Sequence, residues 1–108
     1  MSKGISETAF ASQVEALLDI GHWRWMHPRP ARVRRHGQDI YETAYSGHKG
    51  WLDYLALRPP RILVFELKND KAKMTPEQVM WFELWKMVLN EVYLWRPSQI
   101  EEIVECLR

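Results

Sequence analysis

The chain has one cysteine, Cys106, and a lone thiol cannot close an internal disulfide. A disulfide-stapled secreted scaffold is therefore excluded. Cys106 falls on an expected helix among apolar neighbours, which predicts a buried, inert thiol. No apolar run is long enough to span a bilayer, so no membrane is expected as a partner. The opening Met1-Ser2-Lys3-Gly4 leads into a polar amphipathic stretch and not into the apolar core of a signal peptide. That start predicts an intracellular, cytoplasmic protein. Neither sign of charge dominates: Lys and Arg number 15, Asp and Glu 14. No internal repeat and no low-complexity segment is present, which argues against a repeat array or a disordered tract.

Tryptophan is what the chain has in excess, 6 in 108 residues. The length suits one domain over residues 1–108. Buried aromatics contribute large areas, so some of these rings are expected in the core and others at a self-association surface. The charge is also unevenly spread. Arg29, Arg32, Arg34 and Arg35 all come before the first acidic residue of their segment, Asp39, while acids outnumber bases from Ile62 onward. A local basic cluster on a near-neutral domain is either a footprint for phosphates or a solvated arginine-rich loop.

Apolar periodicity and capping signals set out the elements. Ser6 is an N-cap, Phe10, Val14, Leu17 and Leu18 recur at helical spacing, and Gly21 is a stop, so a helix is expected over residues 7–20. Glu7 falls on its apolar side and Glu15 is rotated away from it. Residues 23–27 alternate as a short strand. Residues 28–50 are a long polar connection with a short strand at 40–45, and connections of that length are usually functional or mobile. Strands are expected at 52–57 and 62–68, joined by Arg58-Pro59-Pro60-Arg61. Thr75-Pro76-Glu77-Gln78 is a capping box with proline at the first helical position, opening a helix to about residue 89. A strand at 91–95 follows. Ser98-Gln99-Ile100-Glu101 is a second capping box, opening a last helix that ends near Leu107. The order predicts a mixed α/β domain with helices covering a small sheet.

Two of the strand-length apolar runs carry charges. Asp53 lies in the first, just after the Gly47-to-Gly50 turn, and Glu66 and Lys68 lie at the end of the second. Side chains at i and i+2 share a strand face, so Glu66 and Lys68 point one way while Leu63, Phe65 and Leu67 point the other. Paired strands lie about 4.8 Å apart, close enough for Asp53 and Glu66 to converge on one hard divalent cation. The competing reading is a half-exposed strand with a surface Glu–Lys pair worth about 0–1 kcal/mol. Two features favour the convergent one: Asp is disfavoured in strands, and Glu66 ends a run that otherwise reads as buried. His27, His36 and His48 lack tight ligand spacing, so a zinc site is not expected.

Gly-x-x-Gly-x-x-Asp, then Glu-x-Lys, then Gln in a following helix is an ordered set. It resembles the PD-(D/E)xK nuclease superfamily and, more narrowly, the stand-alone VRR-NUC domains of phages and bacteria. The likeness runs over nearly the whole chain. It takes in the Ser6-Glu7 helix start, Gly21 and the aromatic strand after it, Thr75 to Gln78, and the closing Val92-Tyr93-Leu94-Trp95-Arg96-Pro97-Ser98. The resemblance implies a restriction-endonuclease-like core and DNA cleavage dependent on Mg²⁺ or Mn²⁺, in a bacterial cell or a phage-infected host. Asp53 matches the motif aspartate, Glu66 the second metal ligand, Lys68 the catalytic lysine and Gln78 the glutamine of the following helix. Glu7 matches the acidic residue of the first helix. The backbone carbonyl of Leu67 joins Asp53 and Glu66 around the metal.

Family members carry proline just before the aspartate, where this chain has Leu52. That departure leaves a non-cleaving nucleic-acid-binding module as the alternative to a nuclease. Gln78 either positions a water at the site or serves its capping box. Arg29, Arg32, Arg34, Arg35 and Lys49 are the expected phosphate contacts. Trp51 either stacks on an unpaired base, packs within the protein or makes a dimer contact. The expected substrate is branched or structured DNA, such as a flap or a Holliday junction, met in replication, repair or recombination. Symmetric cutting of a junction requires two active sites, hence a homodimer. Trp81, Trp85 and Trp95 are candidates for its interface or for the core.

Overall fold

The computed structural model describes residues 5–28, 31–42 and 47–108, with the backbone alone at 31–35 and 39–42. Helix α1 (Glu7–Ile20) begins where expected: the Ser6 hydroxyl accepts the Ala9 N–H at 3.0 Å. Phe10, Val14 and Leu18 are buried along one stripe of α1. Strand β1 (Arg24–Met26) follows. The polar connection contains a hairpin, β2 (Ala31–Arg35) and β3 (Gln38–Glu42), closed by His36 and Gly37 at positive φ of 52° and 75°. The sequence pattern marks only a strand at 40–45 here. β2 escapes it because an arginine-rich segment has no apolar alternation to mark it.

β4 (Tyr54–Arg58) and β5 (Arg61–Leu67) form the expected antiparallel hairpin through a cis Pro59–Pro60 bond. Helix α2 (Pro76–Val88) carries the chain across to β6 (Val92–Trp95), which pairs parallel with β5. A 3₁₀ turn at Pro97–Gln99 leads into α3 (Ile100–Leu107). The expected Ser98 capping box does not form. The Ser98 N–H donates to Asp70 Oδ1 at 3.2 Å, and the Gln99 side chain accepts the Arg96 N–H at 2.9 Å. Proline at the first position of the 3₁₀ turn starts it two residues early, with Arg96 and not Ser98 as N-cap, so α3 continues out of that turn without a side-chain cap.

The result is an α/β fold with a mixed four-stranded open sheet in the order β1-β4-β5-β6, a separate β2-β3 ribbon and, among the described residues, three α-helices. Phe10, Val14, Leu18, Ile103 and Leu107 of α1 and α3 pack with Tyr54, Ala56, Leu63, Phe65, Leu67 and Trp95 of the sheet. A row of rings crosses the sheet on this face. His27 stacks on Tyr54 at 4.1 Å, Tyr54 on Phe65 at 4.9 Å, and Phe65 meets Trp95 at 4.6 Å. Each such contact contributes about 0.5–1.5 kcal/mol beyond the area it buries. Period 2 turns Val64 and Glu66 to the opposite face. Both are buried there as well, so β5 is covered on both sides from Leu63 to Leu67.

Cys106 is half-buried: it packs against the core, as its apolar neighbours predict, and also lies 3.6 Å from Arg61 Nη2. Trp95 is core, whereas Trp81 and Trp85 are half-buried. No described helix is long and apolar enough to cross a membrane.

Candidate active site

Four chain segments meet at one end of the sheet: the residue after β1, the start of β4, the end of β5 and the start of α2. Gly50 makes part of this approach. Its φ is +92°, and a Cβ there would lie 2.5 Å from the Glu77 backbone, so the loop before β4 can rest on the first turn of α2 only as glycine. Trp81 Nε1 donates to the Lys49 carbonyl at 2.7 Å. Trp51 packs edge-on against Trp81 and Trp85, with centroids 5.0 and 5.5 Å away. Trp51 thus packs within the protein while staying 40 % exposed. Leu52 is fully buried, which anchors the backbone directly before Asp53.

Glu66 is the centre of the site. It is the one buried charged residue among those described, 1 % exposed. A buried carboxylate must be hydrogen-bonded or paired to persist. Here Oε2 accepts the Asp53 backbone N–H at 3.0 Å and Oε1 accepts Gln78 Nε2 at 3.2 Å. Lys68 Nζ stands 3.6 Å from Oε1, on the shared strand face. These partners do not offset the cost of burial. Loss of water, then the neighbouring Asp53 charge, push the Glu66 carboxyl up to about 7. The ionised form of Glu66 is therefore disfavoured beside Asp53, even with Lys68 at 3.6 Å.

Gln78 serves its capping role and also turns toward the site. Its Oε1 accepts the Thr75 N–H at 2.9 Å, closing the capping box with Thr75 Oγ1, while its Nε2 reaches Glu66. An amide has a separate donor and acceptor, so one side chain fixes the helix start and points it at the carboxylate. Leu67 closes β5 between Glu66 and Lys68.

The first helix offers a different carboxylate from the one singled out by sequence. Glu7 is exposed in the first turn of α1. Glu15, eight residues and about 12 Å further along the axis, accepts the Tyr54 hydroxyl at 2.5 Å. It also lies 3.7 Å from His27 Nδ1, while His27 Nε2 lies 3.9 Å from Asp53 Oδ1. The sequence pattern sets Glu15 on the far side because Phe10, Val14 and Leu18 define a narrow stripe. The packed arc is wider, since the small Ala11 also turns inward, and Glu15 borders it. His27 gives no signal beyond being a lone histidine at the end of an alternating strand.

Of the expected phosphate contacts, Lys49 is exposed beside Gly50. Arg29 lies outside the described residues, as do the side chains of Arg32, Arg34 and Arg35. The backbone of those three arginines lies in β2, in register with Tyr41, Asp39 and Gln38 respectively. Comparisons with protein-family models, curated proteins and solved structures return no match.

Proposed function

We propose that the chain is a divalent-metal-dependent DNA endonuclease that hydrolyses phosphodiester bonds in branched or structured DNA, such as flaps or Holliday junctions. The observation that carries this reading is the buried Glu66 carboxylate, held against Asp53, Lys68 and Gln78 where two strands and a helix start meet. In the same reading the mixed sheet is a restriction-endonuclease-like core. Support comes from the antiparallel β4–β5 hairpin bearing the acidic residues and the α2 crossover to a parallel β6.

The donor chemistry fits Mg²⁺ or Mn²⁺. Asp53 and Glu66 are hard oxygen donors, and their surplus negative charge is the kind a divalent cation neutralises. The Leu67 carbonyl would complete the protein ligands, while Glu7, exposed in the first turn of α1, takes no part in this set. When bound, such a cation polarises a phosphate oxygen and lowers the pKa of a water. The protein groups do the rest. Gln78 and the Asp53 N–H hold the Glu66 carboxylate in place. The Lys68 ammonium stabilises charge that builds on the phosphorane. Arg29, Arg32, Arg34, Arg35 and Lys49 attract and position the phosphate backbone without reading sequence.

Junction cutting requires two such sites, and a homodimer supplies them. Its interface is the outer face of α2, where Met80, Leu84, Met87 and Val88 are exposed at helical spacing.

The deciding experiment offers labelled single strands, duplexes, flaps and four-way junctions with Mg²⁺ or Mn²⁺ to wild type and Glu66→Ala. Cation-dependent cleavage of structured DNA by wild type alone is the expected result. DNA binding without cleavage by either protein would instead make this a non-cleaving nucleic-acid-binding module.

A further inference from the structure

We propose that His27 is a positioning residue for Asp53, acting from the aromatic row beneath the site; this rests on the reading of Asp53 as a cation ligand. The imidazole sits between two carboxylates. Nδ1 faces Glu15 at 3.7 Å and Nε2 faces Asp53 Oδ1 at 3.9 Å. Its ring lies nearly parallel to Tyr54, 22° apart, with centroids at 4.1 Å. Tyr54 is fixed in turn by stacking on Phe65 and by its hydroxyl bond to Glu15. The ring plane, and with it the direction of Nε2, is therefore set by buried Tyr54 and half-buried Glu15.

Asp53 needs such a support. Its side chain is 34 % exposed and stands just outside the start of β4. Glu66 engages the Asp53 backbone N–H and, through its side chain, one side of the Asp53 carboxyl, so a support on the other side completes the orientation of that carboxyl. The imidazole edge 3.9 Å from Oδ1 is a charge contact and not a hydrogen bond; it would limit rotation of the carboxyl and leave the other oxygen for the cation. Supporting groups behind metal ligands typically change metal affinity or activity by about 10–100-fold when removed. Glu15 and Tyr54 belong to the same support one step further out. They reach Asp53 through the imidazole.

Two substitutions separate shape from polarity. His27→Phe keeps a ring to stack on Tyr54 and removes both nitrogens. His27→Gln loses the ring and keeps a side-chain donor of similar reach. Titrating Mn²⁺ alone into each protein, without DNA, reads the site independently of cleavage. His27→Phe is expected to melt close to wild type, to bind Mn²⁺ about 10–100-fold more weakly, and to lose kcat with KM for DNA unchanged. His27→Gln is expected to recover part of the Mn²⁺ affinity despite melting lower. Wild-type Mn²⁺ affinity in His27→Phe overturns the proposal, as does equal impairment in the two variants. Should His27→Phe not fold, Glu15→Gln reads the same quantity, and unchanged affinity there and in His27→Gln overturns it equally. Absence of Mn²⁺ binding in wild type would remove the metal site itself and this inference with it. Binding by wild type and His27→Phe alike would remove the inference alone.

Discussion

Each end of β5 meets a half-buried or buried carboxylate, and the two are treated in opposite ways. At its start, Arg61 grips Glu91 with two hydrogen bonds of 2.9 and 2.6 Å, and Tyr93 adds a third at 2.9 Å. That paired guanidinium holds the Glu91 carboxyl below its ordinary range. At its end, Glu66 has a lysine at 3.6 Å and a neighbouring Asp53, and its carboxyl is pushed up to about 7. A fork-shaped cation in direct contact saturates a carboxylate and leaves nothing for a ligand to do. A point charge at a distance, opposed by a second acid, leaves a deficit that a divalent cation can fill. On the proposed reading, the same strand separates an ion pair that holds the fold from a cluster that would bind a cation.

Exchanging the two carboxylates for alanine gives the largest contrast. Glu66→Ala and Lys68→Ala are each expected to lower Mg²⁺- or Mn²⁺-dependent cleavage by roughly 10²–10³-fold or more while DNA binding is largely kept. Glu91→Ala is expected to cost about 1–2 kcal/mol of stability, because it strands the Arg61 guanidinium, and to leave cleavage per folded molecule unchanged. Single-turnover cleavage and thermal melts on the same preparations measure both. Near-wild-type cleavage by Glu66→Ala or Lys68→Ala would erase the distinction between the two ends.

The pH dependence of stability separates them next. Glu66 has its folded pKa raised from 4.5 to about 7, so between those values the native state binds more protons than the unfolded chain. Its contribution therefore falls as pH rises through that window, by about 1.4 kcal/mol for each pKa unit of difference. Glu91 has its folded pKa lowered, so its contribution is present above the ordinary carboxylate range and is lost as pH falls through the folded value. Without metal, the melting temperature of wild type should decline from pH 4.5 toward 7, and Glu66→Gln should flatten that limb while keeping the acid loss. Saturating Mn²⁺ should restore wild type above neutrality, because the cation binds the ionised form. A decline that persists in Glu66→Gln would assign it elsewhere.

Neither carboxylate accounts for attraction to DNA, which this reading gives to the arginine ribbon. Arg34→Ala with Arg35→Ala should weaken DNA binding and reduce the salt slope of log affinity by about 2, roughly 0.9 for each phosphate no longer neutralised. Cleavage at saturating DNA should stay intact. An unchanged slope, measured by titration over a range of salt concentrations, would take β2 out of the footprint.

Much of this is visible in the order of residues along the chain. Ser6, Thr75 and Gln78 place two helix starts because capping chemistry is local, and the i, i+2 spacing of Glu66 and Lys68 fixes their common face. Glu15 and His27 are not legible there, because their relation to Asp53 spans α1, β1 and β4 and depends on how the helix rolls on the sheet. Ser98 misleads for the opposite reason: its local signal is sound, but Asp70 claims its N–H from 28 positions away. The ribbon strand β2 is hidden by its charge. Local rules therefore find the acids and Gln78, and miss Glu15 and His27 behind Asp53.

Gln78 offers the finest test, because it joins the fold-holding and chemical roles in one amide. Thr75→Ala removes the cap alone and should cost about 1 kcal/mol with cleavage unchanged. Gln78→Ala removes the reciprocal cap bond and also the donor on Glu66 Oε1. It should cost a similar amount of stability and, in addition, lower cleavage by about tenfold, the smaller end of what supporting groups contribute. Melting temperatures normalise the two variants, and the residual difference in kcat isolates the Glu66 contact. Equal kcat in both would leave Gln78 as a helix-start residue, and the Glu66 carboxylate would then be held in place by the Asp53 N–H and Lys68 alone.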